Sequence, residues 1–151
     1  MKTHLKALVI LAGILTFGTS MAQDSPKAGY SFRVEAGHFR NSEGAAVFAL
    51  YNEEGSIPDE KMNRYYKKET GRIVNGKAFV TFEDLPKGRY AVTVLHDENS
   101  NEKIDKTLFY PKEGFGLTNF DKISLSNRPD FSKASFVLSE DTRKWIRLIY
   151  K

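Results

Sequence analysis

The sequence contains no cysteine, which excludes disulfides, thiolate zinc sites, a cysteine nucleophile and a lipid anchor on cysteine. It also lacks an apolar run long enough to cross a bilayer. The longest, Ala7–Phe17, reaches only about half of the roughly 20 residues a spanning helix requires. Strong charge of either sign is missing as well. The formal +4 includes Lys2 and Lys6, and without them the chain has 21 basic against 19 acidic side chains. With so small an excess, and with no Lys/Arg-rich run interleaved with aromatics, the sequence gives no reason to expect nucleic acid or an anionic membrane as partner. There is no Gly-x-Ser-x-Gly elbow, no internal repeat and no low-complexity tract.

What the N-terminus does have is a positive start, the short apolar run and small residues at Ser20 and Ala22. This three-part pattern predicts a cleavable signal peptide over residues 1–22. The mature chain would begin at Gln23, in the periplasm or outside the cell. Residues 23–29 are polar and rich in breakers, as a disordered leader is, and residues 30–151 are expected to form one domain. About 129 residues suffice for a core without staples, and a monomer is expected.

From Tyr30 the apolar pattern has period two. Tyr30, Phe32, Val34 and Ala36 alternate with polar residues, and Ala46–Tyr51 is apolar enough to be buried on both faces. Residues 52–70 admit either a short helix opened by Pro58-Asp59-Glu60 or an irregular edge strand around Tyr65–Lys67. Asn75-Gly76 predicts a hairpin between residues 72–74 and 78–82. Further strands are expected over 89–95, 134–138 and 145–150, with Tyr90, Val92, Val94 and His96 on one face. About seven strands with no long amphipathic helix between them predict an all-β, antiparallel β-sandwich of immunoglobulin or transthyretin type.

The polar run after the clearest strand carries the sharpest chemistry. Asp97, Asn99, Asn101 and Asp105 occupy the first, third, fifth and ninth places of a calcium-loop pattern, and the Lys103 carbonyl occupies the seventh. Alternate side chains on a curling loop can supply the oxygens that calcium requires. Ile104 would pin the loop to the core. The sixth place is Glu102 rather than glycine, and the twelfth is Leu108 rather than glutamate, so a more distant acid, Glu113, is the candidate to close the site. The competing reading is a metal-free loop in which Asp and Asn bond their own backbone.

Other constellations are weaker. His38 and His96 could form a zinc or copper pair with a carboxylate, and Asp97 with Asp105 a glycosidase pair. A metal-dependent hydrolase would centre on His96, Asp97 and Glu113. Tyr65, Tyr66, Phe109, Tyr110, Phe115 and Phe120 could line a surface for a small ligand or polymer, with Tyr65, Tyr110 or Phe115 in an exposed groove.

The run Phe79–Val92, the loop His96–Asp105, the segment Pro111-Lys112-Glu113-Gly114-Phe115-Gly116, the Phe131…Phe136 stretch and the ending Ile146…Tyr150 together resemble the exported bacterial family catalogued as domain of unknown function 2141. The resemblance implies a β-sandwich and assigns no activity. Members of that family often carry glycine between the loop asparagines, where this chain has Ser100 and Glu102. The reading that follows is a non-enzymatic exported module, with a calcium-binding Asp/Asn loop and an interaction or structural role toward an envelope or extracellular partner.

Overall fold

The computed structural model describes residues 29–105, 112–124 and 126–150. The expected signal peptide, nearly all of the leader, and Leu108, Phe109, Tyr110 and Pro111 lie outside them. Strands β1 (Tyr30–Gly37), β4 (Lys77–Leu85) and β8 (Thr142–Arg147) form one sheet in the order β4-β1-β8. Strands β3 (Lys67–Gly71), β2 (Ala45–Tyr51), β5 (Gly88–Asp97) and β6 (Phe115–Leu117) form the other in that order, and β7 (Phe136–Leu138) also pairs with β5. One four-residue helix, α1 (Phe131–Ala134), precedes β7 and is capped by Asp130, whose carboxylate accepts the Lys133 N–H. The fold is an all-β sandwich, as the sequence pattern predicts.

Period-two alternation builds the core between the sheets. Phe32 and Val34 of β1, Phe48 of β2, Phe82 of β4 and Val92 and Val94 of β5 are buried there together. The opposite faces of β2 and β5 are buried too. Val47, Ala49, Tyr51, Ala91 and Leu95 pack beneath a second layer that includes Ile57, Met62, Phe120 and Phe131. The β3-β2-β5-β6 sheet is therefore covered on both sides, which is why Ala46–Tyr51 reads as a continuous apolar run.

Several expected elements differ. Residues 72–74 are not one arm of a hairpin. Asn75 and Gly76 do form a tight turn with positive φ, bridging Val74 and Lys77, but β3 pairs with β2 while β4 pairs with β1. The turn thus lies on a crossing between sheets, where Ile73 is buried as a core plug. Segment 52–66 contains no helix; the edge strand falls at Lys67–Gly71. Phe115–Leu117 is a strand the sequence hides in a Gly-rich passage, and Ala134 ends the short helix rather than starting β7. The last strand runs parallel to β1, not antiparallel. Beyond β8, Phe115 and Ile149 exchange N–H···O bonds of 3.0 and 2.9 Å, so the two sheets are stitched at that edge. Among the described residues no helix is long and apolar enough to cross a membrane.

Candidate functional site: the loop after β5

Strand β5 delivers two polar residues at its end, and alternation sends them opposite ways. His96 follows Val94 into the inter-sheet core, fully buried. The Glu43 carbonyl, 3.0 Å from Nε2, can only accept, so Nε2 carries the hydrogen. Nδ1 then accepts from the Tyr150 hydroxyl at 2.7 Å, and the Tyr150 oxygen accepts the Arg40 N–H at 3.1 Å. The ring also meets Phe39 and Tyr150 edge-on. His96 is thus a structural bolt joining the 38–44 connection to the segment that follows β8. Replacing it by phenylalanine keeps the volume but strands the Glu43 carbonyl and the tyrosine hydroxyl. Loss of about 2–3 kcal/mol is expected, read by urea unfolding; an unchanged midpoint would refute the bolt.

Asp97, only 1% exposed, starts the loop on the other face. Its Oδ1 accepts the Asn101 N–H at 3.0 Å and its Oδ2 the Glu102 N–H at 2.8 Å. The next two places repeat the device at shorter range: Asn99 Oδ1 accepts from Asn101 N and Asn101 Oδ1 from Lys103 N. This winding puts Ser100 and Glu102 at φ 56° and 57°. Glu102 therefore adopts the left-handed turn for which the calcium-loop pattern uses glycine, held by Asp97 on its N–H and by Lys68 on its carboxylate at 2.5 Å. Ile104 packs against the second core cluster.

Lys112 lies beside Asp105, its N–H donating to the Asp105 carbonyl at 2.8 Å. This brings Glu113 under the loop, where it is buried. One of its oxygens accepts from Glu98 N at 3.0 Å and the other from Asp105 N at 3.3 Å. Burial pushes the Glu113 carboxyl above its ordinary range; the two backbone hydrogen bonds oppose this, and the negative charges of Asp97 and Asp105 add to it. The amides of Asn99 and Asn101 both donate to Asp105 Oδ2, at 2.6 and 3.2 Å.

The loop's five acids thus sort into two groups. Glu98 is bound by Arg40 and Asn41, chiefly by Arg40, which holds its carboxyl below the usual range. Glu102 is bound by Lys68, likewise lowered. Asp97, Asp105 and Glu113 take part in no ion pair among the described residues. Nor do three His, Asp or Glu side chains there close around one point at metal distances; amide and backbone N–H groups face the carboxylates instead.

The remaining candidates separate. His38 is exposed at φ 68° while His96 is buried, so they do not form a pair. His96 and Asp97 leave the strand on opposite faces, so the hydrolase set His96, Asp97 and Glu113 shares no wall. Phe115 and Phe120 pack inward, leaving Tyr65 and Tyr66 exposed. Sequence reasoning missed two exposed aromatics, Phe79 and Trp145. The signal for Trp145 was available in Arg143 and Arg147 two residues to either side.

A family model described as "uncharacterized protein conserved in bacteria" (DUF2141) matches residues 34–146. No curated protein and no solved structure matches the chain.

Proposed function

We propose that this chain, which belongs to the DUF2141 family of uncharacterised bacterial proteins, is an exported, non-enzymatic β-sandwich module whose Asp97–Asp105 loop, closed by Glu113, binds calcium. The observation that carries the reading is the sorting of the loop's acids. Among the described residues Glu98 and Glu102 are neutralised by Arg40 and Lys68, whereas Asp97, Asp105 and Glu113 stand together with no ion-pair partner of their own. Like charges held this way oppose folding, and a hard divalent cation relieves them. The left-handed turn at Glu102 supports the same reading. On calcium entry the Asn99 and Asn101 amides would rotate to present oxygen in place of N–H. Export is supported by the N-terminal pattern, and it sets the loop where calcium is abundant. The loop end is then a rigid surface for an envelope or extracellular partner.

Thermal melts with calcium and with chelator test this. Calcium at ten times its dissociation constant adds about 1.4 kcal/mol, or about 5 °C for a domain of this size. A shift no larger than that of the Asp97→Ala, Asp105→Ala double variant would sink the proposal. The pH dependence has two opposed signs. Glu113 binds its proton more tightly folded than unfolded, so without metal its contribution to stability rises as pH falls through its raised pKa. Calcium needs the carboxylate, so the calcium-induced shift is full above that pKa and fades as pH falls through it.

A further inference from the structure

The β4-β1-β8 sheet has its inner face in the core, and among the described residues no element covers its outer face. Alternation turns Arg33 and Glu35 of β1, Lys77, Phe79 and Glu83 of β4, and Arg143, Trp145 and Arg147 of β8 outward. Four cations thus face two carboxylates. Lys77 pairs with Glu35 at 3.7 Å, and none of the ion pairs among the described residues takes up Arg33, Arg143 or Arg147. Arg33 and Arg143 are direct cross-strand neighbours, an arrangement that destabilises a sheet unless an anion lies between the guanidiniums.

Two aromatics stand in the same row, with Phe79 and Trp145 on either side of Glu35, about 10 Å apart at two strand spacings. Trp145 is 50% exposed. Its indole lies across Gly37, where a Cβ would come within 2.6 Å of Cζ2, and the Lys77 ammonium stands over the ring, 5.5 Å from its centroid, where a bound anionic ring would meet it. Phe79 carries the Arg33 guanidinium 3.8 Å from its centroid, which fixes the plane of that group and leaves its N–H edges free. Arg33, Glu35, Arg143, Lys144 and Trp145 line a cleft of about 270 Å³.

We propose that this face binds an acidic polysaccharide, seating a uronic-acid ring on Trp145 with its carboxylate between Arg33 and Arg143. A pyranose offers the indole a flat C–H face, its carboxylate suits the arginines that neighbour one another across β1 and β8, and its hydroxyls can donate to Glu35. A second copy of this face carries the same positive excess and is repelled. Single-stranded RNA would bring a phosphate at every nucleotide against Glu35, with only the 2′-hydroxyl of each ribose to donate to it. The site shares no residue with the calcium loop.

Trp145 is the chain's single tryptophan, so intrinsic fluorescence reports on the site directly. Titration with oligogalacturonate in chelator, which keeps calcium out of both polymer and loop, is expected to shift the emission saturably and less as salt rises. The Arg143→Gln variant, exposed and so folded, is expected to bind about tenfold more weakly. Trp145→Ala is expected to lose retardation in a polygalacturonate gel while keeping its far-ultraviolet spectrum. Absence of a saturable shift, equal affinity of Arg143→Gln, or tighter binding of poly(U) than of the uronate would overturn the proposal.

Discussion

Replacing Gly44 by alanine is expected to lower stability by about 4 kcal/mol, although the residue sits in an exposed turn. Gly44 has φ 60°, where an L side chain costs about 1–2 kcal/mol. The added Cβ would also fall 2.8 Å from the carbonyl carbons of Asp97 and Glu98, and closer still to the Asp97 oxygen. Those atoms are backbone at the paired end of β2 and β5, where Ala45 faces Asp97, so neither side yields without breaking the ladder. Overpacking of this kind adds about 1–3 kcal/mol. The displacement also pulls the Glu43 carbonyl from His96. The control is Gly55→Ala, at φ 76° with nothing within 4 Å of the new Cβ. It should lose only the conformational part, about 1–2 kcal/mol. Urea unfolding of both variants separates strain from clash, and equal losses would refute the backbone contact.

That contact explains why the fold was partly legible. Strands whose neighbours differ in polarity announced themselves: Tyr30–Gly37 alternates because one face meets core, and Ala45–Tyr51 and most of Gly88–Asp97 are apolar because both faces do. Pairing was not legible. Asn75-Gly76 sets a local turn whatever lies beyond it, and whether the arms pair with each other depends on Ile73 finding the inter-sheet core. The three residues of β6 are too few for a period to show, and their identity as a strand depends on β5 alongside. The parallel pairing of β8 with β1 joins residues more than a hundred positions apart, and no local signal carries it.

The loop was more legible than the pairing because its conformation is made by its own side chains. Asp97, Asn99 and Asn101 each accept N–H groups from within five residues, so spacing alone implies the curl. Glu113 is a different case. Only the return of the chain at Lys112 brings it under Glu98 and Asp105, and in the sequence it stood out merely as an acid at suitable distance. The outward face of β4-β1-β8 went unread for a simpler reason. Phe79 stands between Ala78 and Val80, and an apolar triplet does not say which members face water.

Removal of the loop's organising carboxylate has the second large effect, and it is expected in chelator as well as in calcium. Asp97→Ala withdraws an acceptor from two backbone N–H groups: that of Glu102 is left unsatisfied, at a cost of about 1–3 kcal/mol, while that of Asn101 keeps Asn99 Oδ1 at 3.1 Å. Glu102 additionally loses what holds it at positive φ. Against this, the variant removes a negative charge that disfavours the Glu113 carboxylate, a gain that offsets part of the loss. Water reaches the loop's exposed rim and rehydrates the Asn101 amide in part, so a net loss of about 2–3 kcal/mol is expected in chelator. In calcium the gap should widen, because the wild type gains binding energy that the variant cannot. Asp97→Asn is the discriminating partner: one amide oxygen can still accept, while the NH2 group opposes the second N–H. It should keep about half the metal-free stability lost in Asp97→Ala and none of the calcium-induced shift. If Asp97→Ala unfolds at the wild-type midpoint in chelator, the carboxylate does not organise the loop. If Asp97→Asn retains the full calcium shift, Asp97 is not a ligand.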